Sequence, residues 1–141
     1  MVLAIALLAA CGSRSEPEKE LRALVDEAEA AAEERDASAL RALIADDYQD
    51  PRGRNAGDVR AYLHGYLVAH PSIRLITRID SIELEGKELA RVAVTVSMLG
   101  REAGADDDWD LAGDIYRLDL RLTREDDGDW RVIRAATQDE N

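Results

Sequence analysis

Val59-Arg60-Ala61-Tyr62-Leu63-His64-Gly65-Tyr66-Leu67-Val68-Ala69-His70-Pro71-Ser72-Ile73-Arg74-Leu75-Ile76-Thr77-Arg78-Ile79 contains the change of period that decides the fold. Before Pro71, the apolar residues Val59, Tyr62, Leu63, Tyr66 and Leu67 recur at i, i+3, i+4, i+7 and i+8. That spacing puts them on one face of an α-helix. Asn55 is placed to cap it, and a helix over about 56–69 is predicted. Proline disfavours helical backbone in the residue before it, so His70-Pro71 ends the helix. Beyond Pro71 the period is two: Ile73, Leu75 and Ile79 alternate with Arg74 and Arg78, as in a strand with one buried face.

Toward the C-terminus the period of two continues. A phase slip near Ser81, of the kind a β-bulge makes, brings Ile82 and Leu84 to the buried side. Glu85-Gly86-Lys87 is a turn, and Val92, Val94, Val96 and Met98 form the next apolar row. A polar loop over 100–108 separates them from Tyr116, Leu118, Leu120 and Leu122. Asp126-Asp127-Gly128-Asp129 is a hairpin turn, and Trp130 and Val132 open a last strand over about 129–136. Toward the N-terminus, Ser15 and Glu18 have capping-box spacing and Pro17 sits in a first turn. They open a helix over about 16–34 with Leu21, Leu24, Val25, Ala28 and Ala32 on one face. A shorter helix over about 38–46 carries Leu40, Leu43 and Ile44. The predicted order is three helices and then four antiparallel strands, an α+β layer architecture in which the helices cover the apolar face of the sheet.

Composition narrows the function. The 141 residues suit one domain with a full core. Phe is absent, so Leu, Ile, Val and Ala must fill that core. The formal net charge of −12 argues against a nucleic-acid partner. A single cysteine excludes an intrachain disulfide or a zinc site built from several cysteines. There is no phosphate-binding or dinucleotide-binding glycine pattern, no serine-nucleophile motif and no histidine pair at metal spacing. Asp106-Asp107-Asp108-Trp109-Asp110 falls short of a calcium loop, which would need Gly at 111 and Glu at 117, where Leu111 and Arg117 stand. No metal and no cofactor is expected.

The first residues carry an address. Val2–Ala10 is an unbroken apolar run, far below the ~20 residues of a membrane-spanning helix but of signal-peptide length. It ends Leu8-Ala9-Ala10-Cys11-Gly12, which resembles the lipobox of bacterial lipoproteins. Met1 leads directly into the run, without the Lys or Arg that opens most such signals. The resemblance implies cleavage after residue 10 and a diacylglycerol on Cys11. It also implies a tether over 11–17 and a domain over 18–137, with 138–141 as a polar tail. With Gly at position 12, it implies the outer membrane, facing the periplasm, in a Gram-negative cell.

The domain resembles the nuclear-transport-factor-2-like superfamily, whose helices sit in the curve of an antiparallel sheet (an α+β cone, as in SnoaL-like and cystatin-like proteins). The likeness rests on element order, on Ala39-Leu40-Arg41-Ala42-Leu43-Ile44-Ala45-Asp46-Asp47-Tyr48, and on the closing Gly128-Asp129-Trp130-Arg131-Val132. The superfamily includes isomerases and dehydratases, in which an Asp or His base projects into the cone, and proteins with no catalytic role. The resemblance therefore directs attention to polar residues that share a phase with the apolar ones.

Those candidates are Tyr48, Tyr62, Tyr66, His70, Asp114, Tyr116 and Arg134, with His70 and Asp114 as weak candidates for a base; His64 points away. Each has a plain alternative. The tyrosines can be core rings, His70 can favour a helix C-terminus, and Arg134 can pair with Asp114. The polar sheet face carries Arg74, Arg78, Arg91, Arg117 and Arg121. They suit either cross-strand pairing with Asp80 and Asp119 or contact with a second copy or another partner. The expected function is a membrane-anchored, non-catalytic envelope domain that binds a small, partly apolar ligand or a protein partner. The alternatives are an isomerase- or dehydratase-like enzyme and a structural protein that dimerises through its sheet.

Overall fold

A computed structural model describes residues 15–101 and 115–138. Cys11, Asp114, the Asp106–Asp110 run and residues 139–141 lie outside the described residues. Helix α1 spans Glu16–Glu33, α2 Ala37–Ala42 and α3 Ala56–Ala69. The strands are β1 Ser72–Glu85, β2 Leu89–Arg101, β3 Ile115–Arg124 and β4 Trp130–Thr137. They form an antiparallel sheet in sequence order, β1-β2-β3-β4.

The helix boundaries follow the capping chemistry. The Ser15 hydroxyl accepts from the Glu18 N–H at α1, and the Asp36 carboxylate from the Ala39 N–H at α2. Asn55 and Asp58 make a reciprocal capping box at α3, both bonds 3.0 Å. α2 is shorter than its apolar spacing implies because the chain after it pairs with β4. The Val132 N–H donates to the Leu43 carbonyl (2.8 Å), and the Ala45 and Gln49 N–H groups donate to the carbonyls of Val132 (3.0 Å) and Ile133 (3.1 Å). Leu43 and Ile44 thus serve a sheet edge.

Both outer strands are covered where a bare edge would invite pairing with another chain. Residues 43–49 lie along β4. Along β1, the Leu75 N–H donates to the Glu33 carboxylate, and both the N–H and the hydroxyl of Thr77 donate to Glu29. α1 therefore docks on β1 through two carboxylates as well as through Leu21, Leu24 and Val25, which are buried. At the other end of α1, Glu20 accepts from the Trp130 indole (2.9 Å) and from Arg124.

Two bulges bend the sheet. In β1 the register shifts between Ile79 and Ser81, leaving Asp80 as the extra residue and returning Ile82 to the inner face, as the sequence predicts. Leu84, expected on the buried side, is 40% exposed near the end of the strand. In β4, Leu122 pairs with Val132 and Arg121 with Arg134, so Ile133 is the extra residue. The core gathers Leu21, Leu24, Val25, Tyr48, Ala90, Val92, Val94, Leu122, Trp130 and Val132 between α1, the 43–49 segment and the inner face.

Candidate functional site

α3 meets the sheet across a gap. Leu67 is buried, and Val59, Leu63 and Tyr66 face inward, but Tyr62 is 57% and Val68 64% exposed. Between α1, α3 and the inner face lies a cavity of about 320 Å³. Its wall is Leu24, Val25 and Ala28 from α1, Val59, Leu63, Tyr66 and Leu67 from α3, and the inward row of every strand, including Leu75, Val96, Met98, Leu118 and Ala135. The cause is in the composition. There is no Phe, and the short side chains of Ala28, Ala32, Val94, Val96 and Ala135 do not reach the centre of the cone.

Glu29 and Thr77 also border the cavity, but they spend their polar atoms on one another at the β1 edge. Tyr66 and His70 are brought together. Their rings stack 4.1 Å apart at 18°, and His70 Nδ1–H donates to the Tyr66 carbonyl (3.0 Å). Tyr62 lies beside Tyr66, 6.2 Å between centroids, with the Arg54 guanidinium 5.8 Å from the ring. Tyr116 has the inner phase, opposite Val96, but is not on the cavity wall and is 39% exposed.

Of the described candidates Tyr66 alone lines the cavity, and Arg134 and Tyr48 are placed well away from it. Arg134 leaves the cavity wall because the bulge at Ile133 reverses the phase of β4 beyond Val132; it stands opposite Arg121 on the outer face. Tyr48 is in the core, 2% exposed, and is not on the cavity wall. Its hydroxyl donates to Asp50 (3.1 Å) and accepts from the Ala135 N–H (3.3 Å).

Asp50 is a buried group that the pattern of the sequence does not single out. Its carboxylate accepts from Tyr48, from the N–H groups of Arg52 (2.9 Å) and Arg54 (3.1 Å), and from Arg54 Nε (2.8 Å). Burial by itself would raise the Asp50 pKa, but these hydrogen bonds outweigh it and hold the carboxyl below its usual 3.8. Burial, then the bond to Asp50 and its charge, push the Tyr48 phenol up to about 12. The signal available beforehand was Asp50-Pro51-Arg52-Gly53, where an Asp accepts from the N–H two residues on.

On the outer face, Arg78 and Arg117 flank Thr95, and Arg91 lies opposite Arg121. Arg74 shares that face, next to Leu99. Arg78 bonds Asp80 (2.8 Å), and Asp80 also accepts from Thr95 (2.7 Å). Those two bonds hold the Asp80 carboxyl below its usual value.

The cavity is suited to holding hydrocarbon. Among the described residues no three His, Cys, Asp or Glu side chains gather as a metal cluster, and no helix is long and apolar enough to cross a membrane. No protein-family model matches the chain, and no curated protein does. Solved structures do. A ketosteroid isomerase-like protein from Erwinia carotovora atroseptica SCRI1043 superposes with TM-score 0.69 at 14% identity, over 88% of this chain and 96% of that one. A candidate dehydratase of the NTF2-like family from Streptomyces avermitilis gives 0.69 at 16%, over 83% and 91%. A domain of unknown function with a cystatin-like fold from Nostoc punctiforme PCC 73102 gives 0.67 at 13%, over 89% and 78%. At these identities the likeness is one of fold, and the fold is the nuclear-transport-factor-2-like α+β cone.

Proposed function

We propose that this is a membrane-anchored envelope domain, non-catalytic, that holds a small, mainly apolar ligand inside its cone. The cavity carries the reading: about 320 Å³ walled almost wholly by hydrocarbon. The cavity opens to solvent, so its hydrocarbon wall is left facing water. An apolar ligand seated there takes that surface out of water, at ~25 cal/mol per Å² covered. The anchor rests on the lipobox-like Leu8-Ala9-Ala10-Cys11.

Native mass spectrometry of the purified protein tests the ligand. The expected spectrum carries an extra mass that disappears on denaturation, or acquires one when N-phenyl-1-naphthylamine is added. A bare mass that stays bare with the dye rejects the reading. Cys11→Ser tests the anchor, and a variant that still fractionates with membranes as the wild type does would remove it.

A second reading, an isomerase- or dehydratase-like enzyme, is favoured by the His70 ring stacked on the cavity-lining Tyr66. It draws on what the structural neighbours are called. Turnover of a ketosteroid that is lost in His70→Ala, with dye binding retained, would replace the first reading.

A further inference from the structure

We propose a second site, independent of the cavity: an oxyanion site on the outer face of the sheet, built by Arg91, Arg121 and Arg134, that takes a phosphate-type group. The strand register sets these residues in one row, Arg91 opposite Arg121 and Arg121 opposite Arg134. Like charges directly opposite on one sheet face are destabilising. Neighbouring strands lie about 5 Å apart, so three guanidinium groups reach a common point within ~10 Å.

Arg134 joins the row only because of the bulge at Ile133; an unbroken strand would turn it into the cone. The bulge at Asp80 lies on the opposite strand, beside Ser81, which pairs with Ala93. Between the two bulges the outer face holds a groove of about 170 Å³, lined by the three arginines, Ser81, Ala93 and the carboxylates of Glu83 and Asp119. Bulges recur where a strand re-aims a side chain toward a site. Ala93 lacks the bulk to fill the space between the arginines.

Three arginines against two carboxylates leave a local excess of one positive charge, on a chain of net charge −12. That balance is wrong for a nucleic acid or any long polyanion. It suits one compact oxyanion, because guanidinium forks match phosphate oxygens two at a time. Glu83 stands directly opposite Arg91. The group bound is a phosphate, whether free, on a small metabolite, or at the head of a lipid.

The test is titration of inorganic phosphate into the full-length protein at low ionic strength, followed by amide NMR. The expected result is saturable shifts confined to β2, β3 and β4 around Ala93. They weaken at least about tenfold in Arg91→Gln/Arg121→Gln, which removes two charge-assisted forks. Ala93→Leu fills the groove without changing any charge and should weaken binding as much. Melting temperatures no lower than the wild type's in both variants show that they fold. Shifts that stay linear throughout, or equal affinity in wild type and Ala93→Leu, would overturn the proposal. Co-sedimentation with phosphatidylcholine vesicles, compared with and without phosphatidic acid, separates the sources and discounts the anchor. Retention that rises with phosphatidic acid, and no longer does so in the same variants, assigns the site to a lipid headgroup; phosphate binding without that rise assigns it to a soluble oxyanion.

Discussion

Asp50→Ala removes a carboxylate that is fully buried in its side chain and engaged in four hydrogen bonds. The loss is not four independent bonds. Bonds to a charged acceptor contribute ~1.5–3 kcal/mol each when measured singly, and such values do not add within one cluster. Arg54 is a third exposed in its side chain, so water takes over its guanidinium at little cost. The lasting damage is to the Tyr48 hydroxyl, in the core at 2% exposure, and to the Arg52 and Arg54 N–H groups that shape the turn. We expect a net loss of about 3 kcal/mol. For a chain of this length that lowers Tm by about 10 °C. Asp50→Asn keeps the shape and one acceptor and should lose about half as much.

pH supplies the sharper assay. The Asp50 carboxyl titrates below its ordinary 3.8 in the folded protein, so folding favours its charged form. Its contribution is complete above pH ~4 and is lost as pH falls through the depressed value. The gap in stability between wild type and Asp50→Asn should therefore stay constant near neutrality and close below pH ~4. Tyr48 has the opposite sign: its pKa rises from 10.0 to about 12, so folding favours the neutral phenol. That contribution is complete below pH 10 and lost toward pH 12, and Tyr48→Phe should abolish this alkaline loss. Denaturant melts of the three proteins across pH check both limbs. An Asp50→Ala protein that melts within ~2 °C of wild type at pH 7, where ~10 °C is expected, would refute the account of this cluster.

Ala28→Leu places three more carbons in the cavity from α1. It should raise the Tm of ligand-free protein, by up to ~2 kcal/mol of stability, while weakening dye binding. Equal dye affinity would mean that the dye binds elsewhere. Arg35 has φ 60° and donates to the carbonyls of Leu67 (2.9 Å) and Pro71 (3.1 Å), tying the end of α1 to the end of α3. Glycine there relieves about 1 kcal/mol of backbone strain but removes two charge-assisted bonds of ~1.5 kcal/mol each, so Arg35→Gly should destabilise by about 1–2 kcal/mol, read by chemical denaturation. Glu29→Ala strips the acceptor from the Thr77 N–H and hydroxyl. It should cost about 1–2 kcal/mol and speed aggregation through the exposed β1 edge, measured by light scattering.

The two bulges differ in how legible they are. Asp80-Ser81 puts two polar residues side by side in an alternating strand, which can only be accommodated by a slip of phase. Val132-Ile133 puts two β-branched apolar residues side by side, and either can face the core. Nothing local decides which, so the phase of Arg134 stays open until the pairing of Leu122 with Val132 is known. α2 shows a similar ambiguity. Leu40, Leu43 and Ile44 satisfy helical spacing, and Leu43 and Ile44 equally suit a segment laid along β4. The helices and strands are legible because their period extends over many residues. Tyr48 and Asp50 are not, because their burial depends on Ala135, far along the chain.

The same bulge separates the two faces in function. With Ile133 absorbed as the extra residue, Val132 and Ala135 close the cavity wall with hydrocarbon, and Arg134 is carried outward to the row of arginines. Were Ile133 instead paired as an ordinary strand residue, a guanidinium would enter a cavity whose Glu29 carboxylate is already bound to Thr77, and a buried charge left unpaired costs several kcal/mol. An apolar interior and a basic exterior are thus two consequences of one local irregularity. Deleting Ile133 takes out the extra residue and leaves Val132 and Ala135 inward and Arg134 opposite Arg121, so dye binding and phosphate binding should both survive it; loss of both would refute Ile133 as the residue that sets the phase.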